Sequence, residues 1–225
     1  MGVLPEMKRV AVILSGCGVY DGAEIHEATA TLLALDRAGA DVTIAAPAGP
    51  QMHVVDHLRG EPVAGESRDM LVEAARIARG NIKALADLDA ADFDAVILPG
   101  GFGAAKNLCT FATEGAACSV NPDVERFLRA MHAGGKVIGA ICIAPALVAR
   151  VFGGEVPVKV TIGTDPATAA EIRKTGAEHV DAAVDEVVVD AEQRIVTTPA
   201  YMLAGRIGEV FDGVAKLVDK VLELC

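Results

Sequence analysis

The chain has 225 residues, 52% hydrophobic and 23% charged, with no Trp and two Tyr, which excludes a disordered segment and predicts a large, mainly aliphatic core. Its net charge of −11 repels nucleic-acid backbones and anionic lipid, and no Lys/Arg run acts locally against that average, so neither nucleic acid nor membrane is an expected partner. No apolar run is long enough to span a bilayer, Met7-Lys8-Arg9 leads directly into a strand-like segment, and the five cysteines are widely spaced without a Cys-x-x-Cys pair, so reduced thiols in a cytoplasmic protein are expected.

The first element is Arg9-Val-Ala-Val-Ile-Leu-Ser15, a continuous apolar run ending at Gly16 that reads as a strand buried on both faces. Residues 23–38 place Ile25, Ala28, Leu32 and Leu35 at helical spacing and stop at Gly39, and residues 41–46 form the next strand. That is a βαβ unit. A short extra strand is expected at 52–57 and a helix at 68–79, stopping at Gly80. A strand at 93–98 runs into Pro99-Gly100-Gly101, Asn121-Pro122 opens a helix through His132, and a strand at 136–141 passes at once into a helix at 144–150. A strand at 156–162, a helix at 166–175, a hairpin-like pair at 186–189 and 194–197 and an amphipathic helix at 203–222 complete the chain. Strand and helix alternate with no repeat, linker or low-complexity stretch. Residues 1–225 are therefore expected to form a single α/β domain, a doubly wound, mostly parallel sheet with helices on both faces, of the flavodoxin-like kind.

Cys142 stands where an apolar strand ends and a helix begins, at the sheet edge where open α/β folds bind ligands. Unpaired N–H groups and the helix dipole favour thiolate there and predict a depressed thiol pKa. A buried, inert cysteine suits the same position. Pro99-Gly100-Gly101-Phe102-Gly103 is a second turn at the same edge, whose backbone N–H groups could cradle an oxyanion or simply make a tight turn. Glu24 and Glu27 share a face of the first helix, where they either point toward the thiol or complement the helix dipole.

Gly16-Cys17-Gly18-Val19-Tyr20-Asp21-Gly22 lacks the Gly-x-Gly-x-x-Gly spacing, and the second strand ends Ala45-Ala46-Pro47 without an acid for a ribose hydroxyl, so a dinucleotide site is not expected. His26-Glu27 does not begin a zincin motif, because Ala30 occupies the place of the second histidine. His53 and His57 fall in an extended-looking segment with no companion ligands, and His132 and His179 carry no specific signal.

Ala140-Ile-Cys142-Ile-Ala-Pro145, Pro99-Gly-Gly-Phe-Gly103 and Gly22-Ala-Glu-Ile-His-Glu27 together resemble the signature elements of the ThiJ/PfpI superfamily, whose fold resembles class I glutamine amidotransferases. Ser15-Gly-Cys-Gly-Val-Tyr-Asp-Gly22, Gly100-Gly-Phe-Gly-Ala-Ala-Lys-Asn-Leu108 and Thr197-Thr-Pro-Ala-Tyr-Met202 are similar to its ElbB-like branch, associated with isoprenoid biosynthesis and weak glyoxalase activity. The resemblance implies that Cys142 is the nucleophile-elbow cysteine, that Glu27 hydrogen-bonds its sulfur, and that the turn at Gly100 and Gly101, with Ile143, supplies oxyanion N–H groups. It also implies a homodimer. The chain departs from protease-like members in having Ile143 where they have His, and from amidotransferases in lacking a downstream His-Pro-Glu; Asp165 stands where several other branches have a histidine.

These features lead to an expected chemistry in which the Cys142 thiolate attacks a small 2-oxoaldehyde such as methylglyoxal or glyoxal, and Glu27 moves a proton from C1 to C2. One nucleophile and one base cover this redox-neutral isomerisation, so no metal, glutathione or nucleotide cofactor is expected. The alternative is a redox-sensing protein in which the same thiol is oxidised without turnover.

Overall fold

In the computed structural model, which describes residues 7–225, the first apolar run becomes β1 (Arg9–Ile13), and Val10, Ala11, Val12 and Ile13 have no solvent exposure. The chain continues through α1 (Ile25–Arg37), β2 (Asp41–Ala46), β3 (Val55–Asp56), β4 (Glu61–Pro62), α2 (Met70–Ile77), β5 (Lys83–Ala84) and β6 (Ala95–Leu98). Two short helices follow, α3 (Phe102–Lys106) and α4 (Phe111–Glu114), then α5 (Pro122–Ala133), β7 (Val137–Ile141) and α6 (Ala144–Phe152). The last elements are β8 (Lys159–Val160), α7 (Pro166–Lys174), β9 (Glu178–His179), β10 (Val188–Asp190), β11 (Ile195–Thr198) and α8 (Ile207–Leu224).

Seven strands form one sheet in the order β10-β11-β7-β6-β1-β2-β5, with β10 antiparallel to β11 and all other pairs parallel. The doubly wound, mostly parallel sheet expected from the sequence is the observed fold. From β1 the chain steps out through β2 and β5, then returns to the other side of β1 with β6. That reversal opens a crevice at the carboxyl ends of the strands. Each sheet face carries its own buried cluster: α8 packs beside α1 over one, through Val210, Val214 and Leu217, and α5 and α6 cover the other, through Phe127, Leu128 and Leu147. Among the described residues no helix is long and apolar enough to cross a membrane.

Several boundaries differ from expectation for identifiable reasons. The strand expected at 156–162 forms only β8, because side chains replace ladder partners: Lys159 N–H donates to Asp190, Thr161 N–H to Thr197 Oγ1 and Ile162 N–H to His179 Nε2. The strand at 52–57 shortens to β3, whose Val55 N–H donates to Asp21 Oδ2 at 2.7 Å. The helix expected from residue 203 starts at Ile207, since Leu203 and Ala204 N–H groups turn back to the Ala200 carbonyl and the Gly205 and Arg206 N–H groups donate to the Glu209 carboxylate. The sheet's edge strand β5 is two residues long and carries no period that a sequence reading could detect.

Candidate active site

Loops at the carboxyl ends of β1, β6, β7 and β11 converge on Cys142. The residue leaves β7 with a φ of +63°, and Ile143 then caps α6. A left-handed conformation costs a non-glycine residue roughly 1–2 kcal/mol, so it persists only where its surroundings enforce it. Here the Cys142 N–H donates to the Thr198 carbonyl at 2.9 Å, which ties the turn to the end of β11. The Gly101 and Ile143 N–H groups lie near enough to the Cys142 sulfur to favour its thiolate.

Glu27, on the first turn of α1, is completely buried against the thiol. Gly100 N–H donates to its Oε2 at 2.9 Å and Tyr201 N–H to its Oε1 at 3.3 Å, and the Cys142 side chain lies beside the same carboxyl group. Glu24 caps α1 by accepting the Glu27 N–H at 2.7 Å. The turn after β6 is laced to the loop after β1 by Glu24 N–H to Gly100 O (3.0 Å), Phe102 N–H to Val19 O (2.8 Å) and Gly103 N–H to Gly22 O (2.9 Å). Gly101 must be glycine twice over: its φ is +90°, and a Cβ would lie 2.4 Å from the Glu24 nitrogen.

Burial, reinforced by the neighbouring Glu24 charge, raises the Glu27 carboxyl from 4.5 to about 8. Burial also pushes the Cys142 thiol well above its ordinary value, and the Glu27 charge adds to this, while the Gly101 and Ile143 donors act in the opposite direction. The depressed thiol pKa expected from a helix N-terminus is therefore corrected. The helix start does favour the thiolate, but the sulfur is buried, and loss of hydration outweighs the Gly101 and Ile143 N–H groups. At neutral pH both groups are mainly protonated, and the first proton leaves the pair near pH 8.

A cleft of about 270 Å³ opens above the sulfur. Val19, Phe102, Ile143 and Met202 give it an apolar wall, Glu24, Thr168 and Tyr201 add polar groups, and no Lys or Arg lines it. A larger groove of about 320 Å³ between α1 and α8 holds no nucleophile. Tyr201, Met202 and Thr168 were not singled out as site residues by sequence. Tyr201 and Met202 belong to the Thr197–Met202 motif, which was the available signal; Thr168 had none. The Tyr201 hydroxyl pairs with His26 Nδ1 at 2.6 Å.

Three of the other histidines are hydrogen-bonded to partners other than the thiol, and His53 Nδ1 is buried without a partner among the described residues. His57 Nε2 accepts the Tyr20 N–H, His132 pairs with Gln193, and His179 accepts the Ile162 N–H. Asp165 caps α7 by accepting the Thr168 N–H at 2.7 Å, so its carboxylate is committed to the helix end. Among the described residues no group of three or more His, Cys, Asp or Glu side chains could hold a metal ion.

Residues 8–203 match the DJ-1/PfpI family. The chain belongs to that family. It is 53% identical to the human glutamine amidotransferase-like class 1 domain-containing protein 3, mitochondrial, over 225 residues, covering 96% of this chain and 83% of the human protein. It is 36% identical to the zebrafish (Danio rerio) ES1 protein, mitochondrial, over 233 residues, covering 96% of this chain and 85% of that one. Among solved structures, an isoprenoid biosynthesis protein with an amidotransferase-like domain from Ehrlichia chaffeensis superposes with a TM-score of 0.90 at 37% identity, covering 96% of this chain and 99% of that one. Drosophila melanogaster DJ-1beta superposes at 0.57 with 25% identity, covering 97% and 95%.

Proposed function

We propose that the protein is a glutathione-independent lyase of the glyoxalase III kind, converting methylglyoxal or glyoxal to the corresponding 2-hydroxy acid. The observation that carries this reading is one buried carboxyl, Glu27, beside a cysteine at a strand–helix turn whose sulfur has the Gly101 and Ile143 N–H groups nearby. Ionised Glu27 takes the thiol proton as Cys142 Sγ bonds to the aldehyde carbon. The proton passes to the aldehyde oxygen, which the turn N–H groups stabilise while it carries charge, and a hemithioacetal forms. Glu27 then removes the proton on C1 and returns it to C2 through an enediol, leaving a thioester that water hydrolyses to the hydroxy acid and free thiol. Electrons balance within the substrate, so no metal or cofactor enters the scheme. With one carboxyl as the only shuttle and most of it protonated at neutrality, turnover is slow.

A second reading, oxidation of Cys142 to sulfenic and sulfinic acid without turnover, is favoured by the same N–H donors and by a carboxyl that stays protonated up to about pH 8 and can donate to an oxidised sulfur. Chelator-treated protein incubated with methylglyoxal or glyoxal separates the two. The lyase reading expects lactate or glycolate formation that disappears in Cys142→Ser. No product, together with selective oxidation of Cys142 by dilute peroxide, supports the sensor instead.

A link to isoprenoid biosynthesis is part of the same proposal and is supported by the likeness to the Ehrlichia protein. We also infer a homodimer, tested by light scattering. All five cysteines are free, which suits a reducing compartment: the cytoplasm, or a mitochondrion as the names of the human and zebrafish relatives have it.

A further inference from the structure

Cys109 and Cys118 are spaced too far apart to suggest a pair in the sequence, yet the fold lays the segments that carry them side by side, close enough for each thiol to shift the other's pKa. The segment between them doubles back. Cys109 forms an antiparallel bridge with Val120, Thr110 N–H donates to Ser119 O at 3.0 Å, and Asn121 N–H donates to Leu108 O at 2.8 Å. Both thiols are buried in the same apolar cluster, beside α3 and α6 rather than in the cleft at Cys142. We propose that Cys109 and Cys118 form a reversible dithiol–disulfide site, oxidised by hydrogen peroxide and chemically separate from Cys142.

The two thiols are unequal in a way that suits stepwise oxidation. The neighbouring Cys109 holds the Cys118 thiol below its ordinary value, with further help from Arg150, while the neighbouring Cys118 and burial push Cys109 well above. Cys118 is therefore the attacking sulfur and Cys109 the resolving one. Cys118 itself is buried, but its neighbours Ala117 and Ser119 are exposed, so opening of a short surface turn admits an oxidant little larger than water. Cys118 sulfur bonds to one peroxide oxygen, the O–O bond breaks, and the departing hydroxide leaves as water after taking a proton. The resulting sulfenic acid is attacked by Cys109 sulfur; the S–O bond breaks, a second water leaves, and the S–S bond forms. Two thiols and one peroxide give one disulfide and two waters, and the two electrons come from the sulfurs.

The site touches the helices that carry the catalytic donors. The Cys109 thiol donates to Ala104 O on α3 at 3.3 Å, and α3 starts from Gly101; Arg150 on α6 donates to Cys118 O at 2.6 Å, and α6 starts from Ile143. Disulfide formation removes the first of these hydrogen bonds.

Trypsin places both cysteines in one peptide, residues 107–126, which lies apart from the Cys142 peptide. The folded protein is exposed to graded hydrogen peroxide, then denatured, alkylated with iodoacetamide and digested. The expected result is a 107–126 peptide two hydrogens lighter than the dithiol and carrying no alkyl group, restored to two alkyl groups by prior dithiothreitol. In Cys109→Ser, Cys118 should instead be trapped as a sulfenic acid by dimedone. Full double alkylation of the peptide at peroxide doses that oxidise the partly exposed Cys17 and Cys225 would overturn the proposal. Sulfinic acid at Cys118 of the unaltered protein without any disulfide would do the same.

Discussion

The Gly100 N–H reaches Glu27 Oε2 at 2.9 Å across 73 positions of sequence, which joins the turn after β6 to the helix after β1 at the point where both meet the thiol. A Cβ at position 100 would lie 2.5 Å from the Cys142 Cβ, 2.7 Å from Glu27 Oε2 and 2.9 Å from the Ile141 carbonyl. Gly100→Ala must therefore drive carboxyl and sulfur apart. We expect a stability loss of about 1–3 kcal/mol and a fall in methylglyoxal turnover on the order of 10²-fold. Urea unfolding and steady-state kinetics check the two separately. Unaltered kinetics in a folded variant would remove Glu27 and Cys142 contact from the mechanism.

The raised Glu27 carboxyl makes stability depend on pH. Between 4.5 and about 8 the folded protein holds this proton and the unfolded chain does not. Unfolding releases it, so stability from this group is fully present below 4.5 and is lost as pH rises through about 8, at up to about 1.4 kcal/mol per pH unit. Glu27→Gln should flatten that slope. An amide also changes the fit to the Gly100 and Tyr201 donors, but that offset is the same at every pH, so the slope isolates the proton. Urea unfolding at pH 5, 6.5 and 8 measures it, and parallel slopes in the two proteins would contradict the raised pKa. The variant should also lose turnover at all three values, because an amide cannot accept and return a proton.

Glu24 has a larger part than its place at a helix start suggests. It is buried, lines the cleft, accepts the Glu27 N–H and is the second cause of the raised Glu27 pKa. Removing its charge should lower the Glu27 pKa, so Glu24→Gln is expected to shift the rising limb of the pH–rate profile to lower pH while retaining turnover. An unmoved limb would mean that burial alone sets the Glu27 proton.

Much of this arrangement is legible in the sequence because it depends on local pattern. Unbroken apolar runs mark β1, β6 and β7, and the glycines at 100 and 101 mark a close backbone approach that the structure realises as contacts under 3 Å for an added Cβ. Cys142 and Glu27 stand at a strand–helix junction and on a first helical turn, positions that left a structural role equally open until the family resemblance singled them out. What was not legible depends on distant segments meeting. Thr168 enters the cleft from α7, Cys109 meets Cys118 through a reversed turn, and Lys159, Thr161 and Ile162 give their N–H groups to side chains from three other segments. The sign of the thiol shift belongs to the same class, since a helix N-terminus is visible in sequence but the removal of water around it is not.

That sign can be measured directly. Burial and the adjoining carboxyl both disfavour a thiolate at Cys142, and the two backbone donors reduce the effect without reversing it. The attacking form arises when the pair loses a proton, which begins near pH 8. Alkylation of Cys142 by iodoacetamide, followed by mass mapping of its peptide, should therefore be slow at pH 6, rise through pH 8 and show no plateau below it. In Glu27→Gln the carboxyl step is absent and its charge no longer opposes the thiolate, so the rise should lose its inflection near pH 8 and follow a single thiol set by burial and the two backbone donors. Circular dichroism at each pH guards against a rise caused by unfolding. A plateau already reached at pH 6 in the unaltered protein would mean that the Gly101 and Ile143 N–H groups outweigh burial, and it would assign the resting negative charge to sulfur, with the proton on Glu27.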